Sequence, residues 1–259
     1  MAEKCKKIVS RFHPTHGGNL RLSEDGTQAC RLVGFANSLA FSEKPLQPGE
    51  IFVVEIEKIE MGWSGHMRIG VTLIDPATIN DSVPQYSLPN LVKLGNTWMF
   101  AVTKGRTCCE GYGEVRVPRE KRLTTDGINV QTSRGIIPFE ALRPNTMGSA
   151  RNILPTDIGS RIGIMYVPQA GSDKAELHFI INGEDQGVYG KDIPYKTGPL
   201  RAVVDIYGAT KQVRIVQLYG VSTLQSACRD RILQCIKRNE INSLPLPRVL
   251  KDYLLYQSQ

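Results

Sequence analysis

The sequence lacks long uninterrupted runs of apolar residues. No stretch approaches the roughly 18 apolar residues that a membrane-spanning helix requires. The N-terminus, MAEKCKKIVSRF, is basic but has no apolar core of a secretory signal. These absences predict a chain that stays in a reducing compartment, cytosol or nucleus, that does not insert into a membrane and whose cysteines are thiols. We take a cytoplasmic location as the expectation.

Cysteine and histidine are few and scattered. The six cysteines form no C-x-x-C pair, and the four histidines lie far from them in the sequence. A zinc ribbon or a RING domain needs two paired clusters of such ligands. We therefore expect neither a metal site nor a RING domain.

Signatures of catalysis and of nucleic-acid binding are also missing. The motifs G-x-S-x-G, H-E-x-x-H and the Walker glycine loop do not occur. The net charge of +7 is mild and its basic residues are dispersed, whereas nucleic-acid binding calls for clustered Lys and Arg. The sequence predicts a non-catalytic protein that needs no cofactor and binds no nucleic acid.

What the sequence does contain is alternation of apolar and polar residues. This period of two predicts strands with one buried face. The predicted strands are Ile51–Glu60, Met67–Asp75, Thr97–Lys104, Glu176–Asn182 and Arg201–Tyr207. No helical stripe occurs before residue 222, so we expect a mainly β protein, an antiparallel β-sandwich rather than an α/β fold.

Turn residues separate these strands, and one long stretch interrupts them. Turns are predicted at Ser23–Gly26, Asn182-Gly183 and Gly208–Thr210, the second as a tight hairpin. Gly105–Asp157 is rich in Gly, Pro, Arg and Thr, with strand candidates only at Glu114–Val117 and Gly127–Gln131. A stretch of this length between strands indicates an insertion that is partly mobile.

The period changes at Ser222. Leu224, Cys228 and Ile232 recur at helical spacing, which predicts an amphipathic helix. Pro245 and Pro247 prevent this helix from continuing. A second short amphipathic segment follows, with apolar residues at Leu250, Tyr253 and Leu254.

The C-terminal segment resembles a SOCS box. Residues 223–232 are similar to its elongin-binding half, and residues 244–254, LPLPRVLKDYL, to a cullin box that favours Cullin-5. The resemblance implies elongin contacts at Leu224, Cys228 and Ile232. It implies cullin contacts at Leu244, Pro245, Leu246, Pro247, Leu250, Tyr253 and Leu254. The alternative is a last helix that merely packs on the sandwich.

Residues 11–219 resemble the neuralized homology repeat, a relative of the SPRY sandwich. The matching motifs are Phe12–Gly17, Phe41–Leu46, Gly62–Gly70, Ile181–Gly187 and Val203–Gly208. The resemblance implies a flexible N-terminus over residues 1–10, a repeat over 11–219 and a SOCS box over 222–259. The insertion at about 105–157 departs from shorter repeats of the family.

Together the two resemblances imply a substrate-recognition adaptor of an elongin B/C–Cullin-5 RING ubiquitin ligase. The alternatives are a SPRY-like scaffold without a ligase role and, less in keeping with the motifs, an enzyme on a β scaffold. Loops at one end of a sandwich are the expected binding region. The substrate-binding candidates are Trp63, His66, Asn182, Glu184 and Asp185. Trp63 also fits a packing role, and Asn182 also fits a hairpin turn.

Overall fold

The computed structural model describes residues 10–79, 83–105, 120–145, 153–219, 232, 236 and 238–255. These residues divide into two compact units, one that extends to Leu218 and one that begins at Tyr219. The described residues of the first unit form fourteen strands and three short helical turns. No helix among the described residues is long and apolar enough to cross a membrane.

Seven strands form the larger sheet of the first unit. In spatial order they are β1 (Leu20–Leu22), β2 (Gln28–Arg31), β14 (Thr210–Ile215), β4 (Phe52–Ile59), β10 (Arg161–Pro168), β11 (Ala175–Ile181) and β12 (Glu184–Ile193). Every neighbouring pair is antiparallel. This sheet forms one layer of the sandwich.

Four strands form the second layer, again with antiparallel pairing throughout. In spatial order they are β3 (Leu39–Phe41), β13 (Arg201–Asp205), β5 (Arg68–Thr72) and β6 (Thr97–Ala101). Val54 and Phe179 of the larger sheet share one buried cluster with Ile69 and Val204 of the smaller sheet. The two sheets therefore pack face to face, and the predicted antiparallel sandwich is confirmed.

The alternation in β6 decides which side chains face the main core. Trp98, Phe100 and Val102 pack in or against the main cluster, as their spacing predicts, whereas Met99 points to the opposite face. There Met99 joins Phe41 and Leu91 in a second buried cluster. The expectation of a single buried face is therefore wrong for this sheet, because the helical segment Ser87–Leu91 contributes to a cover on its outer side.

The predicted turns connect strands as expected. Asn182 and Gly183 have φ angles of 51° and 86° between β11 and β12, the positive values that a tight hairpin requires. Ser23–Gly26 joins β1 to β2, and Gly208 leads from β13 into β14. The turns at Ser23–Gly26 and Asn182-Gly183 are therefore hairpins, whereas Gly208 connects strands that belong to different sheets.

The described part of the predicted insertion forms a small sheet. Its strands are β7 (Thr124–Thr125), β8 (Asn129–Thr132) and β9 (Gly135–Pro138), followed by a 3-10 turn, Phe139–Leu142. Val130 and Ile137 are buried on one face of this sheet. The candidate strand Gly127–Gln131 overlaps β8, whereas Glu114–Val117 lies outside the described residues.

The second unit contains a 3-10 helix, Arg238–Ser243, and the α-helix α1, Arg248–Leu255, which contact each other. Pro245 and Pro247 lie between these two helices, whereas the amphipathic helix predicted before them, with Leu224 and Cys228, falls on residues that the structure does not describe. The amides of Leu250 and Lys251 donate to the carbonyl of Pro247 at 3.0 and 3.1 Å, so α1 begins directly after this proline. Among the elongin-box residues, Leu224 and Cys228 lie outside the described residues.

Gly17 is a position where the fold requires the absence of a side chain. A Cβ there would lie 2.2 Å from the carbonyl oxygen of Asn37, whereas a Cβ on Gly18 would meet no atom within 4 Å. We expect Gly17→Ala to lower the free energy of unfolding by about 2 kcal/mol or more, because the backbone itself must shift. Urea denaturation measures this loss, and Gly18→Ala is the matched control. Equal stability of the two variants would contradict the close approach.

Candidate functional site

Four loop segments meet at an aromatic cluster, which we define as Phe35, Trp63, Tyr86 and Tyr207. The ring centre of Phe35 lies 5.4 Å from that of Trp63, 6.1 Å from that of Tyr86 and 5.7 Å from that of Tyr207. Phe35 is 36% exposed and Trp63 39% exposed. The cluster therefore presents aromatic surface to solvent while its rings pack against one another.

Trp63 contacts two charged residues, Glu60 and the buried Arg31. Its indole Nε1 donates to Glu60 at 3.1 Å, and the guanidinium of Arg31 lies 5.9 Å from its ring centre. Arg31 is fully buried, forms an ion pair with Glu60 at 3.3 Å, and donates to the carbonyls of Gly208 and Thr210 at 2.5 and 3.2 Å. Arg31 thereby links the ends of three strands, β2, β4 and β14.

Lys211 completes this arrangement of charges. Its Nζ donates to Glu60 at 3.2 Å, and this hydrogen bond, together with the nearby positive charges, lowers the pKa of the Glu60 carboxyl. Glu60 therefore remains ionised and is shared among the indole, Arg31 and Lys211. The loop that carries Trp63 is fixed by these contacts.

His66 lies at the end of the same loop. It is half-buried, and its Nδ1 is shielded from solvent without a hydrogen-bond partner among the described residues. Burial, with a smaller effect of the charge on Lys104, lowers the pKa of His66 below its ordinary value of 6.5. The neutral imidazole is therefore favoured, and its Nδ1 can serve as donor or acceptor according to the tautomer.

A groove of about 1050 Å³ lies beside the aromatic cluster. Its lining comes from residues within 14–19, 33–37 and 83–86, with Trp63 and Ile79. Asn19 fastens one wall: its Nδ2 donates to the carbonyls of Val33 and Ala36, and its Oδ1 accepts from the amide of Val33 at 3.0 Å. The loop after β2 is therefore held in one shape.

Asp205 stabilises the other side of the groove through hydrogen bonds to three side chains. This carboxylate is 1% exposed and accepts from the hydroxyls of Ser38 and Ser87 at 3.2 and 2.6 Å and from Arg68 at 3.0 Å. The guanidinium of Arg68 lies in turn 3.8 Å from the ring centre of Tyr207. One buried carboxylate thus connects β13 with the segments that carry Phe35 and Tyr86.

The remaining substrate candidates lie on the β11–β12 hairpin. The Oδ1 of Asn182 accepts from the Ser160 hydroxyl at 3.0 Å and the Arg161 amide at 2.8 Å, and its Nδ2 donates to Ile153. Glu184 is exposed. Asn182 is therefore occupied by contacts within the fold, while Glu184 faces solvent.

Asp185 is also engaged internally. It is 5% exposed and accepts from the backbone amides of Gly187, Arg122 and Leu123 at 2.7, 2.7 and 2.9 Å, and it lies 3.4 Å from His178 Nδ1. Burial acts to raise the pKa of Asp185, but these hydrogen bonds outweigh it and hold the pKa below 3.8. Asp185 therefore anchors residues 122 and 123 to the hairpin.

The candidate partner-binding residues of the C-terminal unit differ in exposure. Pro245, Pro247 and Leu250 are exposed, whereas Ile232, Leu244 and Leu246 are half-buried and Leu254 is buried. The side chain of Tyr253 lies outside the described part of the structure. Over the ranges that the structure describes, no group of three or more His, Cys, Asp or Glu side chains could hold a metal ion.

Sequence reasoning missed Phe35, Tyr86, Asn19, Arg31 and Asp205. The one available signal was the apolar run Leu32, Val33 and Phe35 within a stretch of Gly, Asn and Ser, where exposed apolar residues have no local reason to occur. The roles of the other four residues in the site depend on contacts between residues that are far apart in the sequence, so no local signal predicts them.

Fold and site together define an antiparallel β-sandwich with an exposed aromatic loop surface, followed by a short helical unit. The neuralized family model matches residues 12–217 and the SOCS box model matches residues 220–255. The human protein "Neuralized-like protein 2" is 40% identical, covering 98% of this chain and 94% of its own length. Its mouse counterpart is 39% identical over 96% of this chain and 92% of its own length.

A solved structure agrees with this fold. The crystal structure of the Drosophila melanogaster neuralized NHR1 domain superimposes with a TM-score of 0.54 at 21% identity, covering 83% of this chain and 99% of that one. The chain belongs to the neuralized family and carries a SOCS box at its C-terminal end.

Asp185 and its neighbour Glu184 provide a matched test of the structural role. We expect Asp185→Ala to lower the free energy of unfolding by about 2 kcal/mol or more, because buried backbone amides lose their acceptor. Glu184→Ala should change it by less than about 0.5 kcal/mol. Because the pKa of Asp185 is lowered, its contribution is complete above pH 3.8 and is lost as the pH falls through the folded-state pKa. Urea titrations at several pH values measure both effects; a similar loss for Glu184→Ala would contradict this role.

Proposed function

We propose that this protein is the substrate-recognition adaptor of an elongin B/C–Cullin-5 RING ubiquitin ligase. The observation that carries the proposal is the order of the two family matches, a neuralized repeat over 12–217 followed by a SOCS box over 220–255. Partial matches to proteins named E3 ubiquitin-protein ligase, at 32% identity over 39% of this chain, support a role in the same process.

The SOCS box is the proposed docking element for the ligase. Its first half carries Leu224, Cys228 and Ile232 at helical spacing, a sequence pattern that suits binding in an apolar groove on an elongin. Its second half offers Pro245, Pro247 and Leu250 on the exposed surface for the cullin. Leu254 is buried, so we assign it to the support of α1 rather than to direct cullin contact.

The neuralized repeat is the proposed substrate receptor. We keep Trp63 as a substrate contact because its ring is exposed, and His66 because it lies half-buried at the end of the same loop. We leave out Asn182 and Asp185, whose polar atoms are used within the fold. Glu184 remains a peripheral candidate because it is exposed.

The proposed mechanism is proximity without covalent chemistry on this chain. The adaptor holds a substrate near the conjugating enzyme that the cullin's RING partner recruits. This raises the effective concentration of a substrate lysine at the charged ubiquitin. Ubiquitination in turn directs the substrate to the proteasome. A cytoplasmic location agrees with this role.

Substitutions in the two halves of the SOCS box should each remove a different partner. We expect Leu224→Ala with Cys228→Phe to abolish co-purification of elongins B and C, because buried anchors of this kind contribute about 2 kcal/mol or more each. Replacing residues 244–247 by alanine should remove the cullin and keep the elongins. Immunoblots of tagged protein from cells measure both. Elongin binding by the double variant would refute the box, and a wild-type chain without elongins would favour a scaffold outside any ligase.

Substrate capture should depend on the Trp63 loop. We expect Trp63→Ala with His66→Ala to weaken binding of a substrate identified with the wild-type chain, while elongin binding and folding persist. Ile128→Ala, an exposed apolar residue beside β8, is the control. A pull-down and a thermal melt measure the two properties, with the melting temperature changing by about 4 °C at most. Normal capture would exclude this loop, and a much larger drop in melting temperature would assign Trp63 a structural role.

A further inference from the structure

The segment that Asp185 anchors carries an exposed threonine behind two basic residues. We propose that Thr124 is a phosphorylation site for a serine/threonine kinase whose substrate-binding surface is acidic. The inference is independent of the ligase role and adds a covalent modification of the neuralized repeat. Three observations support it: the charge pattern before Thr124, the environment of its hydroxyl and the attachment of the segment to the seven-stranded sheet.

Two basic residues precede Thr124 in the sequence. Lys121 lies three positions and Arg122 two positions before it, and both are exposed. Kinases select substrates partly by such charge patterns, because basic residues beside the acceptor pair with carboxylates of the kinase. Among the exposed Ser and Thr residues of the described ranges, only Thr124 and Thr125 have a Lys or Arg two or three positions before them. The charge pattern therefore points to this pair of threonines.

The hydroxyl groups of the two threonines differ in their contacts. Thr125 Oγ1 donates to the carbonyl of Asn129 at 2.8 Å and accepts from the amide of Gly127 at 3.0 Å. It therefore takes part in the turn between β7 and β8. Within the described part of the chain, the Thr124 hydroxyl has no hydrogen-bond partner, and the residue is exposed on β7. Phosphorylation of Thr124 leaves the turn intact, so we assign the acceptor role to Thr124.

The segment before Thr124 is attached to the seven-stranded sheet through Asp185. This carboxylate accepts from the amides of Arg122 and Leu123 at 2.7 and 2.9 Å. The strand β7 itself pairs with β8 over two residues. Kinases bind their substrates as extended segments, and detaching so short a strand breaks few hydrogen bonds, each of modest net energy. Thr124 can therefore enter a kinase active site while the sandwich stays folded.

The reaction transfers one phosphoryl group from ATP to Thr124. The Oγ1 atom forms a bond to the γ-phosphorus, and the bond between this phosphorus and the bridging oxygen of ADP breaks. ADP leaves with that electron pair, and the hydroxyl proton passes to a base of the kinase. The product carries a charge of about −2 at pH 7.

The phosphate lies close to carboxylates that hold the segment. Asp185 binds the two amides that precede Thr124, and Glu176 lies 3.7 Å from the guanidinium of Arg122. The phosphate repels both carboxylates and competes with Glu176 for Arg122, since guanidinium groups bind phosphate through two parallel hydrogen bonds. Phosphorylation therefore weakens the attachment of residues 120–123 to the sheet.

The test incubates the full chain with ATP and the catalytic subunit of cAMP-dependent protein kinase, a kinase with an acidic substrate site. A capped peptide of residues 119–129 is phosphorylated in parallel. We expect fragmentation mass spectrometry to find phosphate on Thr124 of the full chain. Ser133 is the internal control and should stay unmodified, because it is exposed in the turn between β8 and β9 but has no basic residue at the three preceding positions.

Substitutions at exposed lysines test the recognition of charge. Lys121 and Lys93 are both exposed. We expect Lys121→Ala to slow phosphorylation of Thr124 by about fivefold, the effect of one exposed ion pair with the kinase, and Lys93→Ala to leave the rate unchanged. Phosphate on Thr125 or Ser133 in place of Thr124, a modified peptide beside an unmodified chain, or an equal rate for Lys121→Ala would overturn the inference.

Phosphorylation of unfolded molecules is the competing explanation. Gly17→Ala destabilises the sandwich away from this segment, and a loss of about 2 kcal/mol raises the unfolded fraction about 30-fold. We expect Gly17→Ala to leave the rate at Thr124 unchanged, and a rate that rises with the unfolded fraction would overturn the site.

The weakened attachment has its own measurement. We expect the phosphorylated chain to unfold at a lower urea concentration than the unmodified chain, with a smaller difference at high salt because salt screens the repulsion. Equal midpoints for the two forms would contradict the effect on the Asp185 anchor.

Discussion

The buried carboxylate of Asp205 is the interaction on which the loop surface depends. It is 1% exposed at the end of β13 and receives hydrogen bonds from Ser38, Ser87 and Arg68. A carboxylate removed from water must be compensated by such partners, or its burial becomes strongly unfavourable. The segments before β3 and after Tyr86 are therefore tied to β13 by one group. Through Arg68, which lies under the ring of Tyr207, the same group reaches the aromatic cluster.

Arg31 gives the surface a second, oppositely charged anchor. It lies fully buried at the end of β2 and binds backbone carbonyls of the turn that leads into β14, while its ion pair with Glu60 reaches the loop of Trp63. The two anchors fix loops from several strands on a scaffold that both sheets make rigid. Exposed aromatic rings can then stay in place without collapsing onto the core. Such preorganisation is what a binding surface built from loops requires.

The two units differ in how much apolar surface they bury. The sandwich buries its apolar side chains within itself, and its four-stranded sheet contributes to a buried cluster on each face. The C-terminal unit instead has short helices, with Pro245, Pro247 and Leu250 exposed between and on them. Exposed apolar side chains and prolines on a short segment suit contact with another protein. The proposed adaptor role assigns a partner to each unit: a substrate to the sandwich and the ligase subunits to the tail.

The sequence by itself determined the local features of this protein. Alternation placed Trp98, Phe100 and Val102 toward the core, Asn182-Gly183 specified a hairpin, and a short helical segment with Leu250 and Leu254 follows Pro247. These features depend on neighbours within a few residues, and local backbone chemistry is enough to predict them. The motifs of the neuralized repeat and the SOCS box, read as strings, likewise indicated the family.

Only the tertiary structure decided which residues form the site. The carboxylate of Asp205 accepts hydrogen bonds from Ser38, which is 167 residues away in the sequence, and from Ser87, which is 118 residues away. No local sequence pattern predicts either contact. The same holds for Asp185, which is polar in sequence yet buried because residues 122 and 123 fold back onto it. Phe35 became part of a surface because Trp63, Tyr86 and Tyr207 converge around it from three other segments. Strand order and sheet packing bring these groups together, and that order is set by the burial of the whole core rather than by any single stretch of sequence.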